Sequence, residues 1–109
     1  MVEENRRHGR FSLVMEASWD GSGSKSHART TDISATGCFI DTLAQVVVGE
    51  TLQMQLKTPE GEYISVTGKV MYQQASLGFG VRFTSISDSD RLRLLAILNA
   101  EAGETRRAG

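Results

Sequence analysis

From Phe11 onward the chain alternates. Phe11, Leu13, Met15, Ala17 and Trp19 fall on one face, with Ser12, Val14, Glu16 and Ser18 on the other. That period of two predicts a half-buried strand over 11–19. DGSGS (Asp20 to Ser24) then turns the chain, because glycine takes positive φ without a Cβ clash. A more polar second strand is predicted from Lys25 to Ile33. A third covers Gly37 to Asp41, where Cys38 and Ile40 alternate with Phe39. Leu52, Met54 and Leu56 against Gln53, Gln55 and Lys57 predict a fourth. TPEGE (Thr58 to Glu62) reads as a β-turn, Pro59 presetting φ and Gly61 relieving the exit. Ile64, Val66, Val70 and Tyr72 carry a long fifth strand, with Gly68 marking a bulge or bend. Leu77, Phe79, Val81 and Phe83 predict a sixth, and Gly78, Gly80 and Arg82 lie on its other face.

The period changes at Ser87. Ser87 suits an N-cap, Asp90 stands at the capping-box position, and acids in the first turn complement the helix dipole. RLRLLAILNAE follows at helical spacing. Leu92, Leu95, Ala96 and Asn99 form one stripe, widened by Leu94, Ile97 and Leu98. So broad an apolar face must cover a barrel mouth or a second subunit, and the open end of a small barrel is the simpler partner. The expected layout is an N-terminal arm over 1–10, a domain over 11–101, and a frayed tail over 102–109. Several short strands separated by turns, with eleven glycines and one proline, suggest a small barrel or sandwich.

Composition narrows the function. The 109 residues allow one domain with a modest core, and the starting Met and short length fit a stand-alone protein. No stretch approaches the roughly 20 apolar residues of a membrane span. MVEENRRHGR has no apolar region of a signal peptide, so neither membrane insertion nor secretion is expected. Cys38 is the only cysteine, which rules out an internal disulfide and fits the reducing cytoplasm. Twelve Lys and Arg balance thirteen Asp and Glu, which argues against coating a DNA or RNA polymer. A small anion remains open, since it needs only a few arginines.

Enzyme signatures are scarce, and no catalytic activity is expected. His8 and His27 do not sit at metal-ligand spacing with Cys38, which lies in an apolar strand as a small hydrophobe. No phosphate loop or nucleophile elbow occurs. GFG in LGFGVRF lies inside a strand pattern and lacks the third glycine of a dinucleotide fingerprint.

Two short segments stand out. In TDISATG (Thr31 to Gly37), Asp32 and Ser34 alternate to the same side of an extended chain. Their oxygens either make an Asx or Ser turn between strands or face a ligand. A carboxylate there can accept the N–H groups of a guanine's Watson–Crick edge. In NRRHGRF, Arg6, Arg7 and Arg10 crowd around Gly9 just before the first strand. Arginine grips phosphate bidentately, hydrogen-bonds guanine O6 and N7, and stacks on its face.

RRHGR before the first strand and DISATG between the second and third resemble the two signatures of the PilZ domain family, RxxxR and [D/N]xSxxG. They match as Arg6 and Arg10, then Asp32, Ser34 and Gly37, in the expected order and spacing. GCFI, GFGVRF and a C-terminal helix extend the resemblance over nearly the whole chain. The resemblance implies a mainly β fold: a six-stranded antiparallel β-barrel with a C-terminal α-helix. It also implies binding of the bacterial second messenger cyclic di-GMP, with no further cofactor. By that likeness Arg6 and Arg10 would grip phosphate and guanine, Asp32 and Ser34 would read the guanine edge, and Gly37 would keep the surface open. Arg7 would be an extra phosphate contact. The Arg arm is expected to order onto the barrel when ligand binds, giving a new surface for a downstream effector protein. The alternative is a PilZ-like adaptor that works through protein contacts alone.

Overall fold

Strands of alternating polarity can bury every apolar face at once by closing on themselves, and these do. The computed structural model describes the backbone of residues 11–21 and 24–108, and the side chains of 11–20 and 25–101. The strands are β1 (Glu16–Gly21), β2 (Ser24–Ile33), β3 (Gly37–Asp41), β4 (Thr51–Lys57), β5 (Tyr63–Gln74) and β6 (Gly78–Ile86). They pair antiparallel into a closed barrel in the order β1-β2-β3-β6-β5-β4. Helix α1 (Asp88–Ala108) follows. Trp19, Ile33, Ile40, Leu52, Leu56, Ile64, Val70 and Phe79 fill the interior, and the Trp19 and Phe79 rings meet edge to face at 5.4 Å.

One rim of the barrel is formed by the start of β1, β3 and β5 and the end of β2, β4 and β6. Helix α1 closes this rim. Ser87 caps it, its Oγ accepting the Asp90 N–H at 3.1 Å. The Asp90 carboxylate does not return to Ser87 to complete a capping box. It accepts the Ser65 N–H at 3.1 Å and so ties the helix start to β5. Leu94 and Leu98 enter the core and Ile97 packs against it, whereas Leu92 is 67% exposed. The expected stripe through Leu92 and Asn99 is therefore displaced onto the row that widened it. The helix runs on through Ala108. Gly103 costs a helix only about 1 kcal/mol, and Glu104, Arg106, Arg107 and Ala108 are good helix formers. Among the described residues, no helix is long and apolar enough to cross a membrane.

The first strand is shorter than its alternation. Phe11 makes an isolated bridge with Ile33, and regular pairing begins only at Glu16. Between them the Thr30 side chain stands in for the ladder. Its Oγ1 donates to the Leu13 carbonyl at 2.8 Å and accepts the Met15 N–H at 3.0 Å. The β2–β3 register slips between Thr30 and Asp32, so Thr30 turns inward, buried with its hydroxyl satisfied. Two residues assigned inward, Tyr72 and Leu77, face out. A register shift between Val70 and Tyr72 reverses the first, and the β5–β6 turn carries the second.

Candidate functional site

Asp32, Ser34 and Gly37 lie at the rim that α1 closes, where β2 turns into β3. Ile33 is buried and points inward, so the half-buried Asp32 takes the outer face opposite Phe39. Ser34 is buried. Its Oγ donates to the Gly37 carbonyl at 3.3 Å and accepts the Thr36 N–H at 3.2 Å. Its own N–H donates to that same carbonyl at 2.8 Å. Of the two uses open to this hydroxyl, bracing the turn is the one seen. The Thr36 carbonyl accepts the Phe83 N–H at 2.7 Å, which fastens the turn to β6.

Gly37 is required by the barrel itself. A Cβ there would lie 2.2 Å from the Val81 carbonyl oxygen. The space that a side chain would need at this position is taken by the β6 backbone. Gly37→Ala must therefore push β3 from β6, at a cost of about 1–3 kcal/mol. A fall in the denaturant midpoint is expected, and an unchanged midpoint would contradict the reading.

Arg6, Arg7 and Arg10 lie outside the described residues. The described chain begins directly after them, at Phe11. Phe11 N–H donates to the Ile33 carbonyl at 2.9 Å, and Ile33 N–H donates back at 3.0 Å. The backbone that follows the arginines is thus paired to the residue between Asp32 and Ser34.

The register brings further residues beside Asp32. Across the outer wall Asp32 faces Phe39, Phe39 faces Gly80, and Gly80 faces Tyr72. The Phe39 and Tyr72 rings stand 6.1 Å apart, inclined by 33°, and Tyr72 lies over Gly80, where a Cβ would come within 2.4 Å of the ring. In the next outward row Gly37 faces Arg82, and Arg82 faces Lys69. Both cations are exposed. The alternation in GFGVRF puts Arg82 outside, but only the β3–β6 pairing puts it next to Gly37. A carboxylate acceptor, two cations and an aromatic face on one wall suit an anion that also carries hydrogen-bond donors and a flat ring. Among the described residues, no group of three or more His, Cys, Asp or Glu could hold a metal.

Comparison with solved structures finds this barrel elsewhere. The chain is similar to the Bacillus subtilis inhibitor of motility MotI/DgrA, with a TM-score of 0.73 and 17% identity over 90% of this chain and 50% of that one. It is similar to Escherichia coli YcgR in complex with c-di-GMP, with a TM-score of 0.77 and 18% identity over 94% of this chain and 48% of that one. The chain therefore spans about half the length of these two proteins. Against the isolated PilZ domain of YcgR with c-di-GMP the TM-score is 0.72 at 16% identity, over 94% of this chain and 95% of that one. Among curated proteins no significant sequence match is found. The PilZ domain model matches residues 4–100, from the arginine segment into α1. Closed six-stranded barrel, rim helix and a family match over most of its length together make this chain a member of the PilZ domain family.

Proposed function

We propose that this PilZ domain is a receptor for cyclic di-GMP, a binding module without catalysis. The observation that carries the proposal is the mutual pairing of Phe11 and Ile33. Arg10 is bonded to Phe11, so its Cα is tethered within about 3.8 Å of a residue that borders Asp32 and Ser34. Arg6 is four residues further back, within chain reach of the same wall. One end of the ligand would then meet guanidiniums and the other a carboxylate.

Each part has a chemical task. Arg6 and Arg10 grip the phosphates and a guanine edge, and Arg7 adds a phosphate contact. Asp32 accepts the two donors, N1–H and the 2-amino group, that guanine presents side by side. Ser34 and Gly37 hold the ledge in shape, Ser34 by bracing the turn and Gly37 by letting β6 pass. Arg82 offers a further positive charge, and the Phe39–Tyr72 pair offers a face for base stacking. Ligand binding draws the arginine arm onto the barrel, and the changed surface is read by an effector protein.

Titration with cyclic di-GMP and cyclic di-AMP tests this. Adenine lacks the side-by-side donors that guanine would offer Asp32, so a preference for cyclic di-GMP of about 100-fold or more is expected. Asp32→Asn replaces a charged acceptor with a neutral amide and should weaken cyclic di-GMP by about 10- to 100-fold. Equal affinity for the two nucleotides, or no binding of either, would overturn the proposal.

A further inference from the structure

Helix α1 meets the barrel along a groove that the packed core leaves open. The groove is lined by the apolar side chains of Leu13, Pro59, Ala96, Ile97 and Ala100, and it encloses about 480 Å³. Its shape is fixed before anything enters it. Thr58 N–H donates to the Glu62 carbonyl at 2.7 Å, and Gly61 N–H donates to the Thr58 carbonyl at 2.9 Å. Glu62 N–H donates to Thr58 Oγ1 at 3.0 Å, which completes the β4–β5 turn. The Asp90 carboxylate on the Ser65 N–H fixes the helix beside it. A preformed groove loses little entropy when it is filled.

The polar rim of the groove is acidic. Three carboxylates, Glu60, Glu62 and Glu101, share it with one cation, Arg93. Arg93 Nη1 lies 3.4 Å from Glu62 Oε1, so these two offset each other. Among the described residues, Glu60 and Glu101 have no cation within ion-pair distance. Lys57 is near in sequence but stands on the outer wall, across from Glu16. Three acids against one base leave a surplus of two negative charges, which suits an occupant carrying arginine or lysine.

The chain itself supplies one. Residues 1–10 (MVEENRRHGR) hold Arg6, Arg7 and Arg10, with Met1 and Val2 as apolar side chains. Glu3 and Glu4 reduce the surplus to one positive charge, but they lie farther from Phe11 than any of the arginines. The root of this segment stands between two acidic sites. Phe11 bridges to Ile33, beside Asp32, on the β2 side. Leu13, two residues on, lines the groove on the side of the β4–β5 turn. Arg10 is three peptide units from Leu13, so their Cα atoms lie within about 11 Å. A segment tethered this closely meets the groove at an effective concentration on the order of millimolar, so contacts too weak to hold separate molecules suffice.

We propose that in the ligand-free chain residues 1–10 lie in this groove, the arginines against Glu60 and Glu101. Side chains make the contact, and the backbone amides stay open to solvent. Cyclic di-GMP then has to draw the arginines across to the Asp32 wall, a second step that rests on the receptor reading above. The groove thus competes with the ligand for the same arginines, and by linkage whatever weakens one contact strengthens the other.

A nitroxide on Asn5→Cys tests the resting contact in the full ligand-free chain, since Cys38 is buried and takes no label. Amide signals of residues 58–62 and 96–101 should broaden more than those of 37–41 and 80–82 on the Asp32 wall. Glu60→Gln/Glu101→Gln should erase that difference and leave the barrel's amide spectrum in place. Equal broadening of both faces in wild type, unchanged broadening in the double variant, or broadening that arises only between separately labelled chains overturns the contact. Calorimetric titration tests the release: the double variant should bind cyclic di-GMP about threefold to tenfold more tightly than wild type. Asp41→Asn/Glu50→Gln at the opposite rim removes as many charges and should stay within about twofold of wild type. Equal tightening by both pairs would trace the effect to net charge and overturn the release. Should no chain bind the nucleotide, the receptor reading fails and the release with it, whereas the resting contact is still decided by the nitroxide.

Discussion

Replacing both Arg6 and Arg10 by alanine is expected to weaken cyclic di-GMP binding by about 100-fold to 10,000-fold, read by calorimetric titration. Each arginine in this account makes a charge-assisted contact worth about 1.5–3 kcal/mol. Two such contacts sum to roughly 3–6 kcal/mol, which is two to four decades of affinity. Neighbouring groups on one ligand couple, so the single variants need not add up to the double. Arg10→Lys isolates geometry from charge. It keeps the positive charge and loses the planar fork, so a loss of at least about tenfold is expected. A double variant within threefold of wild type would show that the arginines are not the clamp.

Phe79→Ala should be the most damaging single core change. The ring is fully buried and set edge-on to Trp19 at 5.4 Å, with an interplanar angle of 80°. Removing a buried phenyl costs about 3–5 kcal/mol, through lost transfer energy and the cavity left behind. Domains of this kind hold only about 5–15 kcal/mol in total. Chemical denaturation should show most of the stability gone, whereas Phe79→Leu, which refills much of the volume, costs far less. Saturating ligand at about 100 times its Kd should return roughly 2.7 kcal/mol to the alanine variant. That recovery ties the barrel to its proposed use, since a ligand stabilises only the fold that binds it.

Much of this barrel is legible in the residues. β3 occupies Gly37–Asp41 as its alternation indicates, and Leu52, Met54 and Leu56 are inward on β4. Gly61 takes a φ of 94° in the turn that TPEGE announces, and Gly68 sits at a register shift in β5. What escaped is what a period of two cannot carry. An extra residue in one strand exchanges inside for outside beyond it, and nothing local says where the slip falls. Tyr72 was misassigned for that reason, and the inward turn of Thr30 went unread. Helix α1 posed the matching problem, because an apolar surface wider than its contact leaves the seated row open. The barrel seats Leu94 and Leu98 and leaves Leu92 in solvent.

The site was legible in a different way. Spacing singled out Asp32, Ser34 and Gly37, and the resemblance set Asp32 and Ser34 on a guanine edge together, where the fold separates them. Ser34 and Gly37 serve the turn and the passing β6 strand, and Asp32 sits half-buried on the outer wall. Arg82 and Lys69 were missed because their neighbours come from strands distant in sequence, and only the pairing of β6 with both β3 and β5 assembles the row.

Amide hydrogen exchange with and without cyclic di-GMP tests the central claim most directly, because it reports binding and its location together. Slower exchange is expected in residues 3–10 and in residues 32–37 when the nucleotide is present. Unchanged exchange in both segments at saturating nucleotide, or protection confined to some other face of the barrel, would contradict it.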